Sequence, residues 1–411
     1  MIEKLAAMVN GDEHLVWMGR FLDVDFLVEV GDTPVHIRVE RGRIVEIVEG
    51  PRLMRTWTFA IRASADAWAR FWAPVPEPNF HDIFAMAKAG EAKIEGNLQP
   101  LLANLRYVKE LLAAPRPAAA AAPSPQSVEP EPITGRYRNV AVLGRDYRIY
   151  WEEAGAGIPL VCLHTAGADG QQFRHLMCDP TVTDRYRVIA FDMPWHGKSL
   201  PPAGFQREEY RLTTELYAET IRAVCGALDL DQPVIMGCSM GGRIVLHLAR
   251  QWPDEFRAVI SLEGSDHQQP WYDTEWLHRP DVHGGEICAA LVSGLVAPTS
   301  PDETRWETLW GYLASGPGIF KGDLYFYRAD SDYRGQVSDI DTSACPVFLL
   351  TGAYDYSCTP EDTTRTAAQI DGAEAIIMDN LGHFPMSENP ALFGQHILPI
   401  LDKIEAEAVV G

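Results

Sequence analysis

The 411-residue sequence is short of several things, and each shortage closes off a class of function. No stretch approaches the roughly 18 uninterrupted apolar residues that a membrane-crossing helix needs, so no integral membrane segment is expected. Basic residues are the minority, 35 Lys and Arg against 57 Asp and Glu, and the formal charge of -22 repels nucleic acid and anionic bilayers alike. Cysteine is sparse, at 7 residues. The odd number, the irregular spacing and the apolar surroundings of several of them predict reduced thiols in a cytoplasmic protein rather than a disulfide framework. No CxxC pair and no HExxH motif occurs, so no metal is expected, and nothing calls for an organic cofactor. Acidic residues interrupt Met1–Val16 before an apolar run of signal length can form, which argues against a secretory leader.

What remains is an ordinary globular composition, 46% apolar and 22% charged, on a chain whose length predicts two domains. The boundary is the run PRPAAAAAPSPQSVEPEP from Pro115 to Pro132, where proline removes backbone donors and favours extended chain. It predicts a semi-rigid linker over 115–133 between a first domain, 1–114, and a second, 134–411. Most of the acidity lies after the linker.

Before it, FLVEV, HIRVE and IVEIVE alternate apolar and polar residues, with turns at Gly31-Asp32 and Arg41-Gly42-Arg43. That is the pattern of an antiparallel meander. A strand over Trp57–Arg62, a helix from near Ser64, a helix over Asn79–Ala89, a short strand Lys93–Gly96 and a closing helix Leu98–Leu112 follow. The phrases FAIRASADAWARFW and FAMAKAGEAKIEGNL and the final amphipathic helix resemble the sterol-carrier-protein-like domain over roughly residues 10–113. The resemblance implies a small α+β domain with an apolar tunnel for a lipid or acyl chain. The same pattern also suits a filled core that serves assembly or solubility.

After the linker, Tyr137–Glu152 reads as a hairpin. Short continuous apolar runs follow at 159–163, 187–191, 233–236, 258–262, 346–350 and 375–378, many of them separated by helical stretches. Such runs indicate a parallel sheet covered on both faces, an α/β fold.

Gly237-Cys238-Ser239-Met240-Gly241 fits G-x-S-x-G, directly after one such strand and directly before a helical stretch. A serine in that context is forced into a tight turn that lifts its hydroxyl clear of the sheet. A hydroxyl needs a base, and the base needs an orienting acid. His383 and Asp355 each follow a predicted strand, and the chain order is serine, acid, histidine. Glu263 and Asp266, after the preceding strand, are the other candidates for the acid. An oxyanion needs two backbone donors: the amide of Met240, and one from the loop His164-Thr165-Ala166-Gly167, where Ala166 is expected to serve.

These features resemble the α/β-hydrolase superfamily over about residues 137–405, as does Phe191-Asp192-Met193-Pro194-Trp195-His196-Gly197-Lys198-Ser199. Two departures stand out: Thr165 and Trp195 occupy positions where the superfamily usually has glycine, and both are expected to shape substrate access. Between about 264 and 334 lies a predicted cap rich in aromatics, among them Trp271, Tyr272, Trp306, Trp310, Tyr312 and Tyr327. Trp271, Tyr272 and Trp310 are expected to contact substrate, although the same rings would equally serve as the cap's own core. The resemblance implies a serine hydrolase acting on a bulky apolar or aromatic ester or lactone. The elbow Ser-Met-Gly-Gly is similar to that of meta-cleavage-product hydrolases, which leaves cleavage of a C–C bond in a diketone as an alternative. A lipid or acyl carrier is the alternative of another class. The expected partner is a small hydrophobic molecule, with a homo-oligomer left open.

Overall fold

In a computed structural model that describes residues 2–117, 130–269 and 273–410, the three alternating runs fold as β1 (Asp23–Val30), β2 (Thr33–Glu40) and β3 (Arg43–Glu49), paired antiparallel. β4 (Phe59–Ala63) adds parallel to β1, and β5 (Ala92–Gly96) adds antiparallel to β4, giving the order β3-β2-β1-β4-β5. The helix Ala65–Phe71 begins where Ser64 Oγ accepts the amide of Ala67 at 3.0 Å, a side-chain cap. Phe26, Phe59, Trp68, Phe71, Val108 and Leu111 are buried together with the sheet's inner face.

Three features of this unit depart from the sequence reading. Two short helices, Leu5–Gly11 and Glu13–Met18, precede β1, the second capped by Asp12. The closing helix is two helices, Gln99–Ala103 and Leu105–Ala113, parted at Asn104, whose side-chain amide donates to the carbonyl of Pro100 at 3.1 Å. Finally, the compact unit comprises residues 1–122 together with 276–294, while 123–275 and 295–411 form the other, so the stretch read from sequence as a single cap is divided. The helix Gly284–Val292 within it is apolar on nearly all sides and buries Ile287, Ala290 and Leu291. Lys109 Nζ donates to the Ala290 carbonyl at 2.7 Å and pairs with the Asp82 carboxylate at 2.9 Å, and His81 Nε2 lies 2.8 Å from the Gly294 carbonyl oxygen.

The second unit is built on eight strands: β6 (Thr134–Val142), β7 (Arg145–Ala154), β8 (Ile158–Leu163), β9 (Tyr186–Phe191), β10 (Val234–Cys238), β11 (Ala258–Leu262), β12 (Val347–Gly352) and β13 (Glu374–Met378). Their order is β13-β12-β11-β10-β8-β9-β7-β6; β8 to β13 run parallel and the hairpin β6–β7 closes the edge antiparallel. Leu160, Val188, Val234, Met236, Ile260 and Leu350 are fully buried, as strands covered on both faces require. From β8 the chain goes to β9 on one side and then to β10 on the other. That reversal opens a crevice at the C-terminal ends of β8 and β10, where such sheets bind ligands. The seven cysteines are unpaired, and no helix among the described residues is long and apolar enough to cross a membrane.

Candidate active site

Ser239 stands between β10 and the helix Met240–Gln251 with φ 59° and ψ -113°, a strained backbone for any residue with a side chain. Two glycines make the turn possible. A Cβ on Gly237 would lie 2.3 Å from the backbone of Gly241, and one on Gly242 would lie 2.2 Å from the carbonyl oxygen of Leu262. The Ser239 amide donates to that same Leu262 carbonyl at 2.9 Å, tying the turn to β11. Its side-chain hydroxyl lies 3.0 Å from Tyr327 OH, its hydrogen-bond partner among the described residues.

The loop after β13 brings His383 to the same sheet edge. Nδ1 of His383 is 2.6 Å from Oδ2 of Asp355, which follows β12, and both side chains are buried. The His383 backbone is fixed on both sides, its amide donating to Leu295 at 2.9 Å and its carbonyl accepting the thiol of Cys238 at 3.2 Å. Glu388 braces the flanks of this loop, accepting the amides of Gly382 at 2.6 Å and Phe384 at 3.2 Å.

Of the two other candidate acids, Glu263 lies beside the pair and Asp266 does not. Asp266 is occupied by Arg365, Thr366 and Gln369. Glu263, in a left-handed backbone conformation, accepts the Gly352 amide at 3.0 and 3.1 Å. Burial, then the charge of Asp355 and a hydrogen bond with it, raise its carboxyl well above the ordinary range. Glu263, Asp355 and His383 present ligand atoms within 4.8 Å of one another, a donor set that a cation can also use. The hydrogen bonds just given account for their proximity without one.

Facing Ser239 from β8 is the loop His164–Gly167. The amides of Ala166 and Met240 make no hydrogen bond among the described residues, whereas the Thr165 amide donates to Gln172 Oε1 at 3.0 Å. The Thr165 hydroxyl donates to the same oxygen at 3.1 Å and also meets the phenol of Tyr312. Its extra atoms therefore bind the loop to its surroundings. Asp323, fully buried, gathers the neighbouring segments: it accepts the Gly167 amide at 2.7 Å, His196 Nε2 at 2.8 Å and Tyr210 OH at 2.9 Å. Burial opposes a charged His196, but the charge and hydrogen bond of Asp323 outweigh it and raise that imidazole. Burial and the nearby His196 push His164 the other way, down to about 3, and as a neutral ring it accepts the Met193 amide at 3.1 Å.

Trp195 has φ 77° and packs its ring against Phe205 and Tyr210, with centroids at 5.6 and 5.3 Å. Trp310 is on the outer side of the helix Asp302–Leu313 and is 64% exposed, while Leu309 and Tyr312 of the same helix are buried. Trp271 and Tyr272 lie outside the described residues. Glu388, Asp323, Arg243 and Gln172 carry no signal in the sequence, and Tyr327 is one of many aromatics between 264 and 334. No motif marks any of them, and only the folded chain brings them to the site.

A model of the alpha/beta hydrolase fold family matches residues 158–280. An uncharacterised protein of Mycobacterium tuberculosis is 26% identical over 297 residues, 67% of this chain and 83% of that protein. The 2-hydroxy-6-oxononadienedioate/2-hydroxy-6-oxononatrienedioate hydrolase of Escherichia coli is 29% identical over 139 residues, 33% of this chain and 46% of that enzyme. Among solved structures, a thermophilic esterase from Thermogutta terrifontis superimposes with a TM-score of 0.58 at 20% identity, over 66% of this chain and 99% of that one. The last likeness is one of fold.

Proposed function

We propose that the second unit, which has the alpha/beta hydrolase fold and matches that family's model over residues 158–280, is a serine hydrolase cleaving a carboxylic ester or lactone through an acyl-enzyme. Ser239 Oγ attacks the acyl carbon while His383 Nε2 accepts its proton and passes it to the leaving oxygen. Asp355 accepts a hydrogen bond from Nδ1–H of His383, fixing the tautomer and stabilising the imidazolium. The amides of Met240 and Ala166 hold the oxyanion. Water then releases the acid by the same route in reverse. One observation carries this reading: a buried imidazole–carboxylate pair at 2.6 Å on the sheet edge that also presents a serine in a strained strand–helix turn. A bulky apolar or aromatic substrate is supported by the buried aromatics Tyr327, on the serine hydroxyl, and Tyr312 and Phe320, on the loop of Thr165 and Gly167.

The similarity to the Escherichia coli hydrolase favours a second reading, cleavage of a C–C bond in a diketone-like substrate by the same three residues. A panel of p-nitrophenyl esters run beside a ring-fission diketone separates the two. A fluorophosphonate probe tests what they share: it is expected to label the native protein at Ser239, and Ser239→Ala is expected to abolish both labelling and turnover. Turnover that survives Ser239→Ala would sink the serine mechanism.

A further inference from the structure

The proposed reaction leaves one buried group on the nucleophile without a role. Tyr327 OH lies 3.0 Å from Ser239 Oγ, and the tyrosine belongs to the π-helical turn Phe326–Asp330, a rare conformation that is frequent at functional sites. The guanidinium of Arg243 stacks on its ring, with Cζ 4.4 Å from the centroid. Arg243 is fully buried and meets neutral acceptors: the Ser265 carbonyl at 2.9 Å, the Ser331 carbonyl at 3.4 Å and the Ser331 hydroxyl at 3.3 Å. Its Nη2 has no hydrogen-bond partner among the described residues. Among the described residues no carboxylate is bonded to this buried cation, an arrangement that costs stability. Its field falls on the phenol and, through it, on Oγ.

We propose that Tyr327 is a further catalytic residue, the hydrogen-bond donor to Ser239 Oγ when that oxygen becomes the leaving group in deacylation, with Arg243 as its positioning residue. This rests on the serine-hydrolase reading. In the free protein either hydroxyl can donate to the other. Once Oγ carries an acyl group it has no hydrogen, so the tyrosine alone can donate. His383 takes a proton from water as the water oxygen bonds to the acyl carbon. On collapse the C–Oγ bond breaks, its electron pair stays on Oγ, His383 returns the proton to Oγ, and the carboxylic acid departs. Tyr327 keeps its own proton throughout. An ester oxygen is a poor acceptor and a departing alkoxide a strong one, so the hydrogen bond tightens only in the transition state. The cation on the ring face makes the phenol a better donor. In attack by the free serine the same bond is present before and during the step, so acylation gains little.

The test compares the native chain with Tyr327→Phe, using a fluorophosphonate probe and p-nitrophenyl acetate. Phosphonylation is expected at an unchanged rate, with steady-state turnover slowed about tenfold, the worth of one neutral hydrogen bond. A stoichiometric burst of p-nitrophenol then marks accumulated acyl-enzyme. Labelling that persists but slows in step with turnover indicates a structural role and overturns the proposal, as does a variant unchanged in both. Labelling requires a built site, so it is also the folding control. If Tyr327→Phe takes no label, Arg243→Met and Arg243→Lys replace it: a burst in the first, rescued in the second, supports the proposal, and none in either overturns it. A native chain that takes no label fails the serine-hydrolase reading itself, a distinguishable result.

Discussion

Glu388 accepts the amide of Gly382 at 2.6 Å from inside the protein, so the loop that presents His383 is braced by a carboxyl group with no exposed surface. Burial raises this carboxyl to about 7, even though the amides of Gly382, Ala297 and Phe384 favour its charge. The folded state therefore binds the proton more tightly than the unfolded chain, where the ordinary value is 4.5. The stabilisation is fully present below that unfolded value and is lost as pH rises through about 7. Glu388→Gln cannot titrate and is expected to flatten the fall in stability between pH 4.5 and about pH 7. Urea unfolding midpoints of both proteins across that range check it, and parallel curves would refute the assignment.

The two carboxyl groups beside His383 are expected to differ sharply when made amides. Asp355→Asn removes the acceptor for the Nδ1 proton and is expected to lower ester turnover by about four orders of magnitude. Burial and the neighbouring Asp355 favour the uncharged form of Glu263, and Glu263→Gln keeps that form and nearly its shape. It is expected to cost less than about tenfold. Steady-state kinetics near neutral pH decide between them, and the reverse ranking would make Glu263 the acid.

Asp323 ties three segments at one point, so its removal is expected to act on the loop of Ala166 and on stability together. Asp323→Ala leaves a buried imidazole and a buried amide without their acceptor, at a cost of about 3 kcal/mol or more. The thermal midpoint should fall. In the fraction that stays folded, kcat should drop more than KM rises, because Gly167 is the neighbour of the proposed oxyanion donor. A variant with native stability and native kcat would show that the loop holds its shape without the cap.

Deleting residues 1–122 removes the larger part of a unit that also contains 276–294. Ile287, Ala290 and Leu291 would lose the core that buries them, exposing apolar helix. The truncated chain is expected to aggregate, as size-exclusion chromatography would show. Changing Ile287 and Leu291 to polar residues in the truncated chain should then restore part of its solubility. If the unmodified truncation runs as a monodisperse species, the two segments are not mutually dependent.

Much of the architecture was legible because its physics is local. Continuous apolar runs bounded by turns located the strands from β8 to β13 to within one or two residues. The glycines around Ser239 marked the elbow because the turn tolerates no Cβ at Gly237 or Gly242. The order of Asp355 and His383 along the chain, each just past a strand, brought them together on one sheet edge. The rest depends on partners distant in sequence. Composition counts aromatics but not their direction: Trp310 and Tyr312 lie two residues apart on one helix, one exposed and one buried. The helix Gly284–Val292 is apolar enough for any core, so nothing in its sequence says which it joins. Glu388, Asp323 and Arg243 belong to no sequence motif, and only the fold supplies the amides, imidazole and phenol that give them meaning.

That last helix has a consequence for how the protein is made. Lys109 and its acceptor Ala290 are 181 residues apart along the chain. A first domain on a simple tether would finish folding as soon as it cleared the ribosome, before the rest was translated. Here the first unit waits for its final helix until β6 to β11 have been synthesised. Its early strands emerge as an unfinished template, and a ribosome stalled between residues 122 and 276 would carry both halves incomplete.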